Sequence, residues 1–338
     1  MIMLICIIAL GFIFDYINGF HDAANSISTI VTTKVLTPLQ AVLWAAFFNF
    51  LAFFISKFII GEFGIANTVS KTVYEQYITL PVILAGILGG ITWNLFTWWR
   101  GIPSSSSHTL IGGFAGSAIM ASGFHAIHGS IILKIAAFIF LAPIIGMITA
   151  TIISLSIMYI CRRVSHKRAE VWFKRLQLVS SALFSTGFSM NDSQKVMGII
   201  AAAMIAAHPL NIGLNVHTVS DIPDWVAFCC FFAISLGTMS GGWRIVKTMG
   251  TKITKVTPFE GVVAETSAAI TLYLTEYLKI PVSSTHVITG AIMGVGATKR
   301  LSAVRWGVTR SLMTAWILTI PVSAILGALI YLIVKLFV

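Results

Sequence analysis

Two short stretches concentrate the side chains that could hold an anion: Pro103-Ser104-Ser105-Ser106-Ser107-His108 and Pro281-Val282-Ser283-Ser284-Thr285-His286. Each follows a break and opens an apolar run. Each therefore reads as a helix start, with proline in the first turn and serine as the cap. Such an end presents unpaired backbone N–H groups, several hydroxyls and the positive end of the helix dipole, which can hold an anion without arginine. One motif alone reads as a cap or as close packing of small residues. The pair aligns at one offset, and the same offset matches Gly112 with Gly290 and Gly116 with Gly294. A duplicated motif reads as two halves of one oxyanion site, built from Ser105, Ser106, Ser107, Ser283, Ser284 and Thr285.

The carboxylates need a partner. Asp22 and Asp192 occupy matched positions, Phe20-His21-Asp22 against Met190-Asn191-Asp192, near an expected interruption at Asn18–Gly19 and its counterpart. Glu260 and Glu265 precede the second serine motif, and Asp15 lies in the first apolar segment. An ionisable group at membrane depth is costly and reads as functional. A carboxylate beside an anion makes sense once a cation joins them, either sodium bridging the two or a proton on one. That is the chemistry of symport. Asp22, Asn25, Asn191, Asp192, Glu260 and Glu265 are the expected coupling-ion residues, with Asp22 and Asp192 also facing the anion. Lys195 aligns with Asn25. An amide oxygen can ligate sodium and an ammonium cannot, so Lys195 is read as charge compensation that makes the halves unequal. His21, His108 and His286 suit a proton relay or hydrogen bonds that order their loops. No resident cofactor or metal is expected; the coupling cation is a proton or sodium, sodium falling to Asp22 and Asn25.

The elements around these residues are membrane helices. Of 338 residues, 57% are hydrophobic and 10% charged; soluble domains carry about 25% charged residues. Runs such as Ala41–Ile60, Ile131–Ile160 and Leu312–Val334 have the length of a membrane span. Continuous rather than alternating apolarity selects helices over a barrel. The net charge of +11 does not indicate nucleic acid. It gathers in short stretches: Arg162, Arg163, Lys167, Arg168, Lys174 and Arg175; Arg244, Lys247, Lys252 and Lys255; Lys299, Arg300, Arg305 and Arg310. Basic loops of this kind mark the cytoplasmic side. The loops 61–78 and 206–224 hold only Lys71 among Lys and Arg and fall outside. Cys6, Cys161, Cys229 and Cys230 lack metal-ligand spacing and read as packing residues. The start of the chain lacks a basic stretch before its apolar run, so no cleaved signal is read there.

These segments predict an all-α polytopic protein with two inverted-topology repeats, broken helices and two helical hairpins. The first repeat spans 1–161 with a hairpin at 79–122. A basic cytoplasmic loop follows at 162–176. The second repeat spans 177–338 with a hairpin at 257–298. Both termini emerge outside.

At these motifs the chain resembles the PiT family of inorganic phosphate transporters over nearly its whole length. The stretches Asn18-Gly19-Phe20-His21-Asp22-Ala23-Ala24-Asn25, Gly101 through His108, Met190 through Lys195, Gly241-Gly242-Trp243-Arg244-Ile245-Val246 and Pro281 through His286 carry the resemblance. It implies secondary active transport of phosphate with sodium or protons, and assigns Asp22, Asn25, Asp192 and both serine clusters to phosphate and coupling-ion binding. The second signature often begins Ser-His-Gly in the family; here Gly187-Phe188-Ser189 stands before Met190, which excludes a histidine role at 188. The His21-Asp22 and Gln194-Lys195 pairs resemble the bacterial, proton-coupled branch.

A sulfate permease of the same fold is the alternative, disfavoured because monohydrogen phosphate can donate a hydrogen bond to Asp and sulfate cannot. An intramembrane serine hydrolase lacks a lone nucleophile with an orienting base. An anion channel is disfavoured by the paired carboxylates. The expected partners are inorganic phosphate, alone or as a metal–phosphate complex, and membrane lipid, with no nucleic acid; a homodimer is compatible with this reading. The expected location is the plasma membrane, as a multi-pass protein of a bacterial inner membrane.

Overall fold

The structure, a computed structural model, describes residues 1–207, 216–251, 253–254 and 256–337, without the side chains of 244, 247 and 251. The basic residues expected at 244, 247, 252 and 255, and part of the loop 206–224, therefore lie outside the described residues. The chain forms α1 (Ile2–Thr32), α2 (Pro38–Ile55), α3 (Gly64–Ser70), α4 (Leu80–Arg100), α5 (Ser106–Ser122) and α6 (Gly129–Cys161). It continues with α7 (His166–Ala207), α8 (Asp224–Ser240), α9 (Trp243–Thr251), α10 (Pro258–Tyr277), α11 (Ser284–Lys299) and α12 (Trp306–Val334). Among the described residues there is no strand, only an isolated bridge between Val73 and Ile127. A chain with lipid around it must close its backbone hydrogen bonds within each segment, and helices do so.

Among the described residues, five helices are long and apolar enough to cross a bilayer: α1, α2 with its continuation to Ile60, α4, α6 and α12. Their outer faces expose Leu43, Phe47, Leu133, Ile152, Leu329 and Ile333. The interior of α7, by contrast, buries Asn191, Asp192, Ser193, Gln194 and Lys195. An apolar rim around a polar centre suits lipid outside and a solute path inside.

Two apolar cores flank that centre. One takes Leu4, Ile7 and Phe14 of α1 with Val196 and Met197 of α7. The other takes Ala24, Ile27 and Ile30 of α1 with Phe184 and Phe188 of α7. On α1 the residues between are Asn18, His21 and Asp22, so the polar layer lies where the two cores meet.

Helix partners exchange in pairs. α5 lies on α12 and α11 on α6; α1 lies on α8 and α7 on α2; α4 packs on α1 and α12, and α10 on α7 and α6. The matched glycines make the first exchange. A Cβ at Gly112 would fall 2.7 Å from the Ile320 carbonyl oxygen, and one at Gly116 2.0 Å from that of Ala324. At Gly290 and Gly294 it would fall 2.1 Å and 2.4 Å from the carbonyl oxygens of Pro143 and Met147. Two glycines one turn apart let helix backbones touch, the close approach small residues give in membranes.

The structure departs from the sequence expectation in three places. α1 and α7 run unbroken past Asn18–Gly19 and Asp192. Gly19 is a packing residue: its Cβ would meet the Ile234 carbonyl oxygen at 2.1 Å, and Gly237 on α8 returns the contact at Tyr16. The basic stretch 162–176 is a loop only to 165, since α7 begins at His166 and Glu170 pairs with Lys174 one turn on (2.8 Å). Finally, α5 and α11 begin at Ser106 and Ser284, so Pro103 and Pro281 precede the helices rather than occupying their first turns.

Candidate functional site

The N-termini of α5 and α11 meet. Thr285 donates its hydroxyl to the Ser104 carbonyl oxygen (3.3 Å), and Ser107 donates to that of Val282 (3.4 Å). Ser105 and Ser283 are the N-caps, each accepting from a backbone N–H in its own helix: that of His108 at 3.2 Å, and that of His286 at 3.4 Å. Their hydroxyl oxygens thus serve the helix, which the sequence had placed on the anion; each still has a proton to donate. The next two hydroxyls on each helix point elsewhere, to the carboxylates.

Those carboxylates sit at the junction. Ser106 and Thr285 approach the two oxygens of Asp22, each at 3.4 Å. Ser284 and Ser107 approach those of Asp192 at 3.4 and 3.5 Å. Each aspartate therefore receives one hydroxyl from α5 and one from α11. Both aspartates, both hydroxyl pairs and Asn25 are buried. Asn25 donates to Thr285 (2.9 Å). Lys195 donates to Asp192 and Ser107, both at 2.5 Å, and to the Val282 carbonyl oxygen at 2.6 Å. Lys195 and Asp192, one turn apart on α7, thus form a buried ion pair. His21 contacts Asp22 at 2.9 Å, with its other ring nitrogen near Thr97 (3.2 Å) and Ser104 (3.4 Å).

Glu260 and Glu265 lie apart from this junction. Glu260 closes the capping box at the start of α10, accepting from the Thr257 backbone N–H (2.6 Å) and its hydroxyl, and pairs with Lys299 (2.6 Å). Its charge is thus committed to a helix end and a lysine, which corrects its expected place beside the coupling ion. Glu265 is buried in a second cluster with Thr29 (2.6 Å), Ser180 (2.5 Å) and Gln177 (3.0 Å), two turns along α1 from Asp22. Asn191, the counterpart of His21, is buried and its amide makes no hydrogen bond to a protein group. The rings of His108 and His286 pack together, centroids 5.0 Å apart, with His286 over Trp316 at 4.1 Å. They fill space behind the serines instead of ordering the loops.

Two polar residues, Asn18 and Gln194, were given no contact from sequence, and Asp15 was named only as a carboxylate of the first apolar segment. Asn18 donates to Asp192 across the junction (3.5 Å). Gln194 bridges the backbone N–H of Ile65 (3.1 Å) and Glu276 (2.6 Å). Asp15, one turn before Asn18, faces the Cys230 thiol and makes no hydrogen bond to nitrogen or oxygen. Spacing was the available signal: Asp15, Asn18 and Asp22 fall at i, i+3 and i+7, one face of α1. A cavity of about 650 Å³ reaches the tip of the first hairpin, lined by Gly101, Ile102, Ser104, Thr248 and Gly307 among others.

The profile of the phosphate transporter family matches residues 18–327, which takes in every residue of the junction. A probable low-affinity inorganic phosphate transporter of Rhizobium meliloti is 47% identical, over 97% of this chain and 96% of its own length. One from Bacillus subtilis is 42% identical, over 99% and 98%. Among solved structures, a sodium-dependent phosphate transporter superposes with a TM-score of 0.87 at 25% identity, covering all of both chains. The chain belongs to the phosphate transporter family, a family of membrane transporters and not of enzymes.

Proposed function

We propose that this protein is a symporter that carries inorganic phosphate by alternating access, binding it between the N-termini of α5 and α11. One observation carries the reading: two helix starts converge on two buried carboxylates, with a hydroxyl from each helix on each carboxylate. The helix ends supply partial positive charge and N–H donors; Ser105, Ser106, Ser107, Ser283, Ser284 and Thr285 supply hydroxyls. One of the two carboxylates, Asp22 or Asp192, accepts the single hydrogen of monohydrogen phosphate, and a cation offsets the charge. The exchange of helix partners, with the paired glycines, supports two related halves, 1–161 and the residues from α7 onward, in opposite orientation. The hairpin tips agree. The first lines a cavity with Gly307 and Thr248, while Lys279 at the second pairs with Glu62 (2.8 Å). Midplane binding between inverted halves is how many secondary transporters alternate.

The coupling cation is a proton. His21 and Asp22, 2.9 Å apart, form a pair that can share one beside the phosphate. Sodium is the second reading, favoured by the grouping of Asp22, Thr285 and the Ser104 carbonyl near Asn25. The basic stretch 162–175 supports a cytoplasmic position for that side, with both termini outside a plasma membrane. Labelled phosphate uptake into proteoliposomes tests this, with sodium and pH gradients imposed separately. Accumulation driven by the pH gradient and largely retained when choline replaces sodium is the expected result. A strict sodium requirement favours the second reading, and equilibration without accumulation removes symport.

A further inference from the structure

The two halves of the junction carry the same oxygen cage, filled differently. In the half of Asp192, the cage is Asp192 Oδ1, Ser107 Oγ and the Val282 carbonyl oxygen. Ser107 Oγ lies 3.5 Å from the first and 3.4 Å from the last. In the half of Asp22, the aligned atoms are Asp22 Oδ1, Thr285 Oγ1 and the Ser104 carbonyl oxygen. Thr285 Oγ1 lies 3.4 Å and 3.3 Å from its two partners. The pairs of distances agree within 0.1 Å. One carboxylate oxygen, one hydroxyl and one carbonyl make an all-oxygen set, the ligand class of hard cations.

Lys195 fills the first cage. An ammonium has three N–H donors, and all three are used, on Asp192, Ser107 and Val282 at 2.5–2.6 Å. None is left over for a phosphate oxygen. The aligned residue in the other half is Asn25, whose amide lies 2.9 Å from Thr285. An amide can turn its oxygen toward a cation, because the two ends of the group have nearly the same shape. His21 also stands only in the Asp22 half, since its counterpart, Asn191, cannot carry a proton.

We propose that Lys195 is a tethered cation standing in place of one of two coupling cations, so that a single mobile cation, in the Asp22 half, accompanies each phosphate. This rests on the symport reading above and refines its stoichiometry. The lysine charge stays with the protein through the cycle and returns with it, so it offsets the Asp192 carboxylate without drawing on any gradient. The family fold then runs with a shallower dependence on the cation gradient than two mobile ions would give. A lower demand on the gradient limits the accumulation reached, which suits uptake where phosphate is not scarce.

The test uses purified full-length protein in proteoliposomes with the membrane potential clamped near zero. The steady-state ratio of phosphate, counted as the monohydrogen ion, is read against imposed sodium and proton ratios. A tenfold cation ratio raises the wild-type phosphate ratio about tenfold, with the sodium and proton responses taken together. Lys195→Asn, which rebuilds the Asn25-type half, raises it about a hundredfold for the same cation ratio. Asn25→Lys, which places an ammonium in the second cage, removes the response of the phosphate ratio to either cation gradient. A wild-type response of a hundredfold overturns the inference while leaving symport intact, whether or not either variant folds. No wild-type response removes symport and this inference with it. A Lys195→Asn protein that keeps the tenfold response and needs more phosphate for half-saturation makes Lys195 a phosphate ligand and also overturns it.

Discussion

Asp22 and Glu260 carry the same charge and were assigned the same role from sequence, yet their surroundings separate them. Asp22 is buried where two helix starts meet, with two hydroxyls from different helices and a histidine on it. Glu260 spends both oxygens on its own helix start and on Lys299. Asp22→Asn should therefore end accumulation of phosphate while the protein still inserts and folds. Transport at the wild-type gradient by this variant counts against Asp22 as the cation's partner. Glu260→Gln keeps an acceptor for the cap and loses an ion pair between a buried carboxylate and a half-exposed lysine. It should cost about 1 kcal/mol or less in stability and leave the cation response unchanged. Thermal unfolding in detergent, set beside the uptake assay, separates the two carboxylates. Sequence marks which residues are unusual in lipid; it does not say which are satisfied by a neighbour in the same helix turn. The capping pattern Thr257-x-x-Glu260 was readable in advance. The Thr29–Ser180–Gln177 shell of Glu265 was not, because it draws on α1, α7 and α10.

At the scale of the helix, the serine motifs and the glycines carried the most information. The duplicated Pro-x-Ser-Ser stretch predicted two helix starts. The glycines one turn further along each helix were read only as support for the duplication; the structure adds that they let each helix touch its partner backbone to backbone. What sequence could not separate was a break from a crossing. Gly19 beside Asn18 has the composition of an interrupted helix, and only the position of Ile234 on α8 reveals that glycine is there for room. The argument gives a contrast in stability. Gly290→Ala puts a methyl 2.1 Å from the Pro143 carbonyl oxygen, so α11 must move off α6. A loss of about 2–3 kcal/mol follows, with misplacement of Ser283–Thr285. Gly307, where an added Cβ meets nothing within 4 Å, should accept alanine with no loss or a gain of about 0.5–1 kcal/mol. Unfolding midpoints of the two variants, measured at matched detergent, are the readout. Equal midpoints would mean that α11 and α6 yield more easily than their backbone contact implies.

At the scale of the whole molecule, the site's accessibility follows from which face each hairpin tip reaches. The tip of the first, Gly101 to Ser104, lines its cavity with Gly307 and Ser311 at the start of α12 and with Thr248 of α9. The start of α12 follows directly on Lys299, Arg300 and Arg305, and the basic stretch 162–175 belongs to the same charge class. The tip of the second hairpin, Lys279, meets Glu62 and accepts a hydrogen bond from Thr68 at its carbonyl oxygen (2.9 Å), in the segment that has only Lys71 as a basic residue. If basic stretches stay in the cytoplasm, Ile102 faces inward through that cavity, and Lys71 faces outward. Each can be replaced by cysteine in a protein whose Cys6, Cys161, Cys229 and Cys230 are serine or alanine. A membrane-impermeant thiol reagent added outside intact cells should then label Lys71→Cys and spare Ile102→Cys, and inverted vesicles should reverse the pattern. Arg163→Cys, in the turn before α7, should follow Ile102. Phosphate should slow the labelling of Ile102→Cys, since a site closed around its ligand admits less reagent, and should leave Arg163→Cys unchanged. Labelling of Ile102 and Lys71 from one face would place both hairpin tips on the same side of the membrane, and the opposed halves on which alternating access depends here could not hold.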